Sequence, residues 1–381
     1  MALAFHRKYR PKKLSELVGQ EENIRILQNA AKEDKLGQAY LFYGSRGTGK
    51  TTTARLVAKL LNCEKRNTDD KFRKLGEPCG ECSSCLEIDN ASAIDLIEID
   101  AASNRGIDEM RNLKENIRVA PTSSRYKVYI IDEAHMLTRE AANALLKTLE
   151  EPPQHTTIIL ATTEYEKLPP TITSRTQRFL FKKLPKPRII EKLKRIVEEE
   201  AIAIEPEALE LIAVLGEGSL RDAESVLDQM SSFSSVMKDK KKDVVTLALV
   251  EELTGRVGTK KIYELSKLVL ENDKEGVAQY LEKMNEEGHD LTRFTKDFIH
   301  YLRKVITLKA SPRLEEDFQS EMTDEEIKKL KTLSAHAVPE KHIPLLRNLI
   351  RAYADMRYSP FALIPLQITL LEFLENEPPR A

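Results

Sequence analysis

The sequence predicts an α/β protein, a parallel five-stranded sheet carrying a phosphate-binding loop, followed by two helical regions. Apolar strand-like runs alternate with helical patterns through the first half of the chain, the order that builds a parallel sheet. Near Leu184 the alternation gives way to apolar residues spaced three and four apart, the period of helices. Between one such strand and the next helix, Gly44–Thr51 matches a glycine-rich pattern that binds phosphate.

The predicted strands are Ala39–Tyr43, Leu96–Asp100, Val128–Asp132, Thr157–Thr162 and Gln177–Phe181. Helical segments separate them, among them Glu140–Glu151, which Pro152-Pro153 stops. From Lys186 to about Ser235 the pattern gives three short helices. Ser231–Lys242, rich in serine and then lysine, has a linker's composition, and Val244–Glu377 reads as helical, with Ile262, Leu265, Leu268 and Val269 showing the spacing. The expected domains are residues 1–183, 184–242 and 243–381.

A chain of 381 residues holds two or three domains. With 41% hydrophobic and 32% charged residues it has the make-up of a soluble globular protein. It shows no uninterrupted apolar run long enough for a bilayer. Met1–Lys13 has a short apolar start and then charges, unlike a secretory signal. The expected compartment is the cytoplasm, with no membrane partner. A net charge of −1 gives no global attraction for nucleic acid, so any such contact is local. Residues 1–60 carry twelve Lys and Arg against five Asp and Glu, which makes the amino-terminal region the basic part of the surface.

Gly44-Ser45-Arg46-Gly47-Thr48-Gly49-Lys50-Thr51 fits G-x-x-x-x-G-K-[ST] in full, with Thr52 continuing into the helical run. Its glycines let the backbone curl so that successive N–H groups face phosphate oxygens, and the helix N-terminus adds partial positive charge. Lys50 is placed to reach the β- and γ-phosphates of ATP, and the Thr51 hydroxyl to hold Mg²⁺. Val128–Asp132 ends in Asp132-Glu133, two acids at the strand edge that faces the nucleotide crevice of an open α/β sheet. Asp132 suits Mg²⁺ support and Glu133 suits a general base acting on water. Asp132-Glu133-Ala134-His135 also spells the signature of DEAH helicases. That alternative requires a second sheet domain of similar size, where this sequence reads as helical.

Cys63, Cys79, Cys82 and Cys85 place four thiols in a short span, with two residues between the later ligands. In a chain without a secretory signal such a cluster points to a closed, structural Zn²⁺ site. The module, about residues 62–88, interrupts the α/β core after its first helix and reads as a surface insertion.

Several further stretches resemble the gamma/tau clamp-loader subunits of bacterial DNA polymerase III. They are Tyr9-Arg10-Pro11, Val18-Gly19-Gln20, Asp100-Ala101-Ala102-Ser103-Asn104-Arg105-Gly106, Ala144–Pro153 and Leu160-Ala161-Thr162-Thr163-Glu164, together with the cysteine insertion. The resemblance is dense from residue 5 to about 235 and continues more weakly through the helical C-terminus. It implies an AAA+ ATPase core, a helical lid and a helical collar that oligomerises. It also implies that Tyr9, Arg10, Pro11 and Val18 flank the adenine, and that Thr163 is a sensor near the γ-phosphate. Ser174-Arg175-Thr176 matches the family's Ser-Arg-Cys motif, whose arginine acts in trans on a neighbour's ATP. Thr176 departs from that pattern and Arg175 is kept. Gly218-Ser219-Leu220-Arg221-Asp222 matches the second sensor, with Arg221 reaching the nucleotide.

By the same resemblance Ser103, Asn104 and Arg105 face DNA and track its phosphates without sequence preference. A capped helix start with a solvated arginine fits those residues equally well. The implied partners are delta and delta-prime-like subunits, copies of the chain in a ring, a sliding clamp and primer–template DNA. The family's longer product adds a C-terminal extension for polymerase and helicase. Ending at Ala381, soon after the apolar run Ile364–Leu374, this chain has the extent of the shorter, gamma-like form or of an excised piece. No second acidic constellation for nucleotidyl transfer is read in it.

Overall fold

A computed structural model describes residues 3–103, 113, 115–236, 244–319, 322–359 and 361–375. They divide into two compact units, Met1–Leu184 with Gly218–Asp222, and Pro185–Glu217 with Ala223–Ala381.

The first unit is built on β1 (Ala39–Gly44), β2 (Leu96–Asp100), β3 (Lys127–Asp132), β4 (Thr156–Thr162) and β5 (Gln177–Phe181). All pairings are parallel, in the order β2-β3-β4-β1-β5. Every residue of β4 is buried, because a central parallel strand is covered on both faces. Successive residues therefore serve opposite layers. Phe42, Ile130 and Ile159 pack on one side with Leu27, Val57 and Leu60. Leu41, Tyr129, Ile131 and Ile158 pack on the other with Leu145 and Leu149. The helices that follow the strands include Lys50–Asn62 after β1 and Arg139–Glu150 after β3. Because the sheet is parallel, the loops after β1, β3 and β4 leave from one edge, and the candidate site forms there.

The second unit is helical. Lys186–Glu199, Pro206–Leu215 and Leu220–Val236 are the three expected helices. The last begins within the five residues that pack with the first unit. Later helices, including Leu291–Ala310, Pro339–Met356 and Leu363–Glu375, enclose a core with Leu265, Phe298, Leu302, Leu349 and Leu370 at its centre.

Two expectations need correction. Ser231–Val236 continues a helix instead of starting the linker, since serine is tolerated in a helix whose apolar face is kept by Leu227 and Met230. The rest of the proposed linker, 237–242, lies outside the described residues. Val244–Val245 is not helical but pairs in parallel with Ala203–Ile204. A two-residue strand is too short to leave a period in the sequence. Beyond it, the Glu205 carboxylate accepts the Leu247 N–H at 2.7 Å and fixes the start of the next helix.

Candidate active site

The phosphate loop turns sharply between β1 and its helix. Gly47 and Gly49 have φ of 69° and 103°, in the region that favours glycine. Gly49 opens the helix Lys50–Asn62, and Thr48 Oγ1 donates to the Ser45 carbonyl at 2.8 Å to close the turn. Arg46 lies exposed in the turn and Thr52 half-buried in the helix's first turn. Lys50 folds over the loop, donating to the carbonyls of Gly44 at 2.9 Å and Ser45 at 2.8 Å. Burial lowers its pKa, and the charges of Glu133 and Asp132 act against that shift.

The two acids at the end of β3 face this loop. Thr51 Oγ1 donates to Asp132 Oδ2 at 2.7 Å. A hydroxyl and a carboxylate meeting across the loop form a hard-oxygen donor pair that fits Mg²⁺. Glu133 has a φ of 48°, uncommon for a residue with a side chain. Its carboxylate accepts from Thr163 Oγ1 at 3.0 Å, so the acid after β3 meets the threonine after β4. His135 stands behind them, with Nδ1 2.9 Å from Thr162 Oγ1 and 3.4 Å from Glu133 Oε2, and Nε2 3.3 Å from Glu164.

Gly218–Asp222 packs with this unit. A Cβ on Gly47 would stand 1.8 Å from Ser219 Oγ and 3.5 Å from the Arg221 Cβ, so Arg221 sits beside the phosphate loop. Arg10 is drawn into the same neighbourhood. Burial, then the charges of Arg55, Arg221 and Arg7, hold its pKa below the usual arginine range, with Glu98 opposing. Arg55 pairs with Glu98 through two contacts of 2.6 Å. Tyr9 meets Phe5 edge-on at 6.1 Å, while Pro11 and Val18 are half-buried in the same segment.

Arg175 takes other partners. Its Nε donates to Glu150 Oε1 at 2.6 Å and its Nη1 to the Thr171 carbonyl at 2.9 Å. These two residues and Ser174, not the phosphate loop, receive its hydrogen bonds. With Leu149, Glu150 and Ser174 it lines an open cavity of about 450 Å³. Ser103 donates to Asp100 at 2.9 Å, closing a local turn. Asn104 and Arg105 lie outside the described residues.

The four cysteines converge, their Sγ atoms all within 4.8 Å of one another. Backbone N–H groups already point at the sulfurs. Cys79 N donates to Cys63 Sγ at 3.3 Å, and Glu81 N and Cys82 N donate to Cys79 Sγ at 3.4 and 3.3 Å. The Cys63 and Cys85 thiols act on each other, the hydrogen bond from Cys85 pushing the Cys63 thiol down while Cys85 is pushed up. Four sulfurs at this spacing, with donors set for negative sulfur, fit tetrahedral Zn²⁺.

The sequence did not mark several residues that hold this site together. Gln20 reaches the Thr48 carbonyl at 3.4 Å and the Lys182 carbonyl at 2.9 Å. Lys59, 1% exposed, pairs with Asp89 at 2.5 Å and binds the phosphate-loop helix to the cysteine module. Arg66, also 1% exposed, donates to the carbonyls of Ala31 at 2.5 Å and Leu60 at 3.1 Å. Arg66 lies within the module itself, so a buried guanidinium ties the insertion to the core. Pairings across tens of residues leave no local pattern, although the Val18-Gly19-Gln20 match did point towards Gln20.

The helicase alternative finds no support. Among the described residues after Leu184 the only strands are the two-residue pair Ala203–Ile204 and Val244–Val245. No helix of the described residues is long and apolar enough to cross a membrane.

Three family models match in succession. "DNA polymerase III, delta subunit" covers residues 19–185. "DNA polymerase III clamp loader subunit, ATPase lid domain" covers 188–235, and "DNA polymerase III subunits gamma and tau domain III" covers 245–380. The Bacillus subtilis (strain 168) DNA polymerase III subunit tau is 38% identical over 98% of this chain and 63% of its own length. The Escherichia coli (strain K12) subunit tau is 37% identical over 98% of this chain and 55% of its own length, so the chain spans little more than half of such relatives. Among solved structures, the Thermotoga maritima RuvB Holliday junction branch migration motor aligns at a TM-score of 0.48 and 20% identity, over 69% of this chain and 79% of that one. The DNA polymerase III subunit gamma of Buchnera aphidicola subsp. Schizaphis graminum is 35% identical over 96% of both chains. With that match running almost end to end, the chain belongs to the family of DNA polymerase III subunits gamma and tau.

Proposed function

We propose that this chain is the ATP-hydrolysing subunit of a clamp loader, and that it acts only within an assembled ring. The observation that carries this reading is the meeting of Thr51 with Asp132 at 2.7 Å and of Glu133 with Thr163 at 3.0 Å, beside a complete phosphate loop. Loop N–H groups and Lys50 bind the phosphates of ATP. Thr51 and Asp132 would hold Mg²⁺, which when bound would supply positive charge against the β- and γ-phosphates. Glu133 takes the proton of the attacking water, and Thr163 orients its carboxylate. Arg221 reaches the phosphates from beside Gly47, while Tyr9, Arg10, Pro11 and Val18 flank the base. Zn²⁺ on Cys63, Cys79, Cys82 and Cys85 is structural.

Arg175 serves a neighbouring subunit's nucleotide, where its guanidinium stabilises charge in the transition state. Its partners here, Glu150, Thr171 and Ser174, leave it on an exposed surface. Residues 184–242 form the lid and 243–381 the collar. On the collar, Ile343, Ile350, Ile364 and Ile368 are each about half exposed, which suits contact with delta, delta-prime-like and identical subunits. The ring opens a sliding clamp and sets it on primer–template DNA, which Ser103, Asn104 and Arg105 face. These events belong to the cytoplasm.

The test compares ATPase rates of the isolated chain and of the complex with delta-type subunits, clamp and primed DNA. Strong stimulation by the full combination, abolished by Glu133→Gln with ATP binding kept, is expected. A rate unmoved by partners, clamp and DNA would sink the proposal.

A further inference from the structure

The cysteine module reaches the opposite end of the unit's sequence through one side chain. Glu77 lies two residues before Cys79. Its Oε2 accepts the Leu14 N–H at 2.7 Å, and its Oε1 accepts the Ser15 N–H at 2.9 Å. The Gln28 side chain donates to the same Oε1 at 2.7 Å. One carboxylate therefore caps the short turn Leu14–Glu16 by accepting the N–H groups of its first two residues. Leu14 is fully buried in the core below.

That turn leads straight to the phosphate loop. Leu17 lies 3.7 Å from where a Cβ on Gly49 would stand. Gln20, three residues on, donates to the Thr48 carbonyl at 3.4 Å. The module is anchored at its other end to the same loop's helix. The Cys63 N–H donates to the Lys59 carbonyl at 2.8 Å, closing the helix that starts at Lys50. Lys59 pairs with Asp89 at 2.5 Å from within that helix. The four sulfurs thus sit between two arms. One is the helix that carries the phosphate loop, and the other is Glu77, which holds the segment lying on that loop.

We propose that the four-cysteine module, through Glu77, holds Leu14–Gln20 against the phosphate loop. Glu77 is then a positioning residue for nucleotide binding, and metal on the cysteines is coupled to nucleotide affinity. The inference rests on the nucleotide site proposed above. Metal fixes the Cys79 backbone, and with it the Glu77 carboxylate two residues away. Without metal the carboxylate loses its aim, the turn at Leu14–Ser15 loosens, and Leu17 and Gln20 no longer order the loop. No contact between the metal and the nucleotide is required.

The full chain tests this with a non-hydrolysable ATP analogue, measured metal content, and amide hydrogen exchange at Leu14 and Ser15. Glu77→Ala should keep its metal, exchange faster at both amides and bind the analogue roughly tenfold more weakly, the scale of losing charge-assisted hydrogen bonds. Chelating the wild-type metal should give a similar loss, and chelating Glu77→Ala should add little. Should Glu77→Ala lose its metal, Glu77→Gln takes its place with the same readouts. Wild-type affinity and wild-type exchange in the variant would overturn the proposal. Equal weakening of both chains by chelation would also overturn it, because the coupling would then bypass Glu77. A wild-type chain that binds no analogue would instead refute the nucleotide site itself, a separate outcome.

Discussion

Replacing Gly47 with alanine separates two contributions to the phosphate loop. The residue has a φ of 69°, which costs a side-chain-bearing residue about 1–2 kcal/mol. The new Cβ would also stand 1.8 Å from Ser219 Oγ and 2.8 Å from its Cβ. Restoring an ordinary contact of about 3.5 Å moves Ser219 away by roughly 1.7 Å. Ser219 Oγ accepts the Asp222 N–H at 3.2 Å, so the displacement carries Arg221 with it. The strain term lowers folding stability whether or not nucleotide is bound. The displacement lowers affinity, because an arginine–phosphate hydrogen bond is worth about 1.5–3 kcal/mol, or roughly tenfold to hundredfold in Kd. Ser219→Gly removes the clashing atoms and leaves the strain. The assay is a four-protein cycle of wild type, Gly47→Ala, Ser219→Gly and the double variant, with thermal midpoint and nucleotide Kd read on each. The double variant should recover most of the affinity but little of the midpoint. Equal affinities for Gly47→Ala and the double variant would refute the placement of Arg221 beside the loop.

Arg175→Ala should leave nucleotide binding by the isolated chain unchanged and lower hydrolysis by the assembled complex about a thousandfold. Weaker binding by the isolated chain would instead assign Arg175 to its own site. Asp95 accepts the N–H groups of Thr122, Ser123 and Ser124, each at 2.8 Å. Burial acts to raise its pKa, but these donors outweigh burial and hold it below 3.8. A depressed carboxylate stabilises the fold above its unfolded value, so this contribution is complete above pH 3.8 and fades as the pH falls further. Asp95→Asn should cost about 2 kcal/mol at pH 7 and flatten the acid limb, read from urea midpoints at pH 7 and pH 3.

The sheet was legible because buried parallel strands are nearly continuous apolar runs. All five predicted strands lie within one residue of β1–β5. The phosphate loop was legible for a different reason, since curling a backbone around phosphate demands glycines at fixed offsets. Asp132 and Glu133 followed from their place at a strand end. What escaped was pairing at a distance. Glu77 reaches Leu14 across sixty-three positions, and Asn62 reaches Tyr126 across sixty-four. Neither leaves a period or a motif. Arg221 is intermediate, because the resemblance named it while only the fold brings it to Gly47. The Val244–Val245 strand was hidden because it is two residues long.

The chain enters the first unit twice, once through Leu184 and again for Gly218–Asp222. A fragment cut at Leu184 would keep the whole sheet and every motif residue up to Arg175, yet it would lack Ser219 and Arg221, the wall against which Gly47 is packed. No single cleavage of the polypeptide therefore frees this unit by itself, because a cut after Asp222 carries Pro185–Glu217 along with it. Any dissection that respects the fold has to be discontinuous, with 218–222 restored by a short graft or supplied in trans as a peptide.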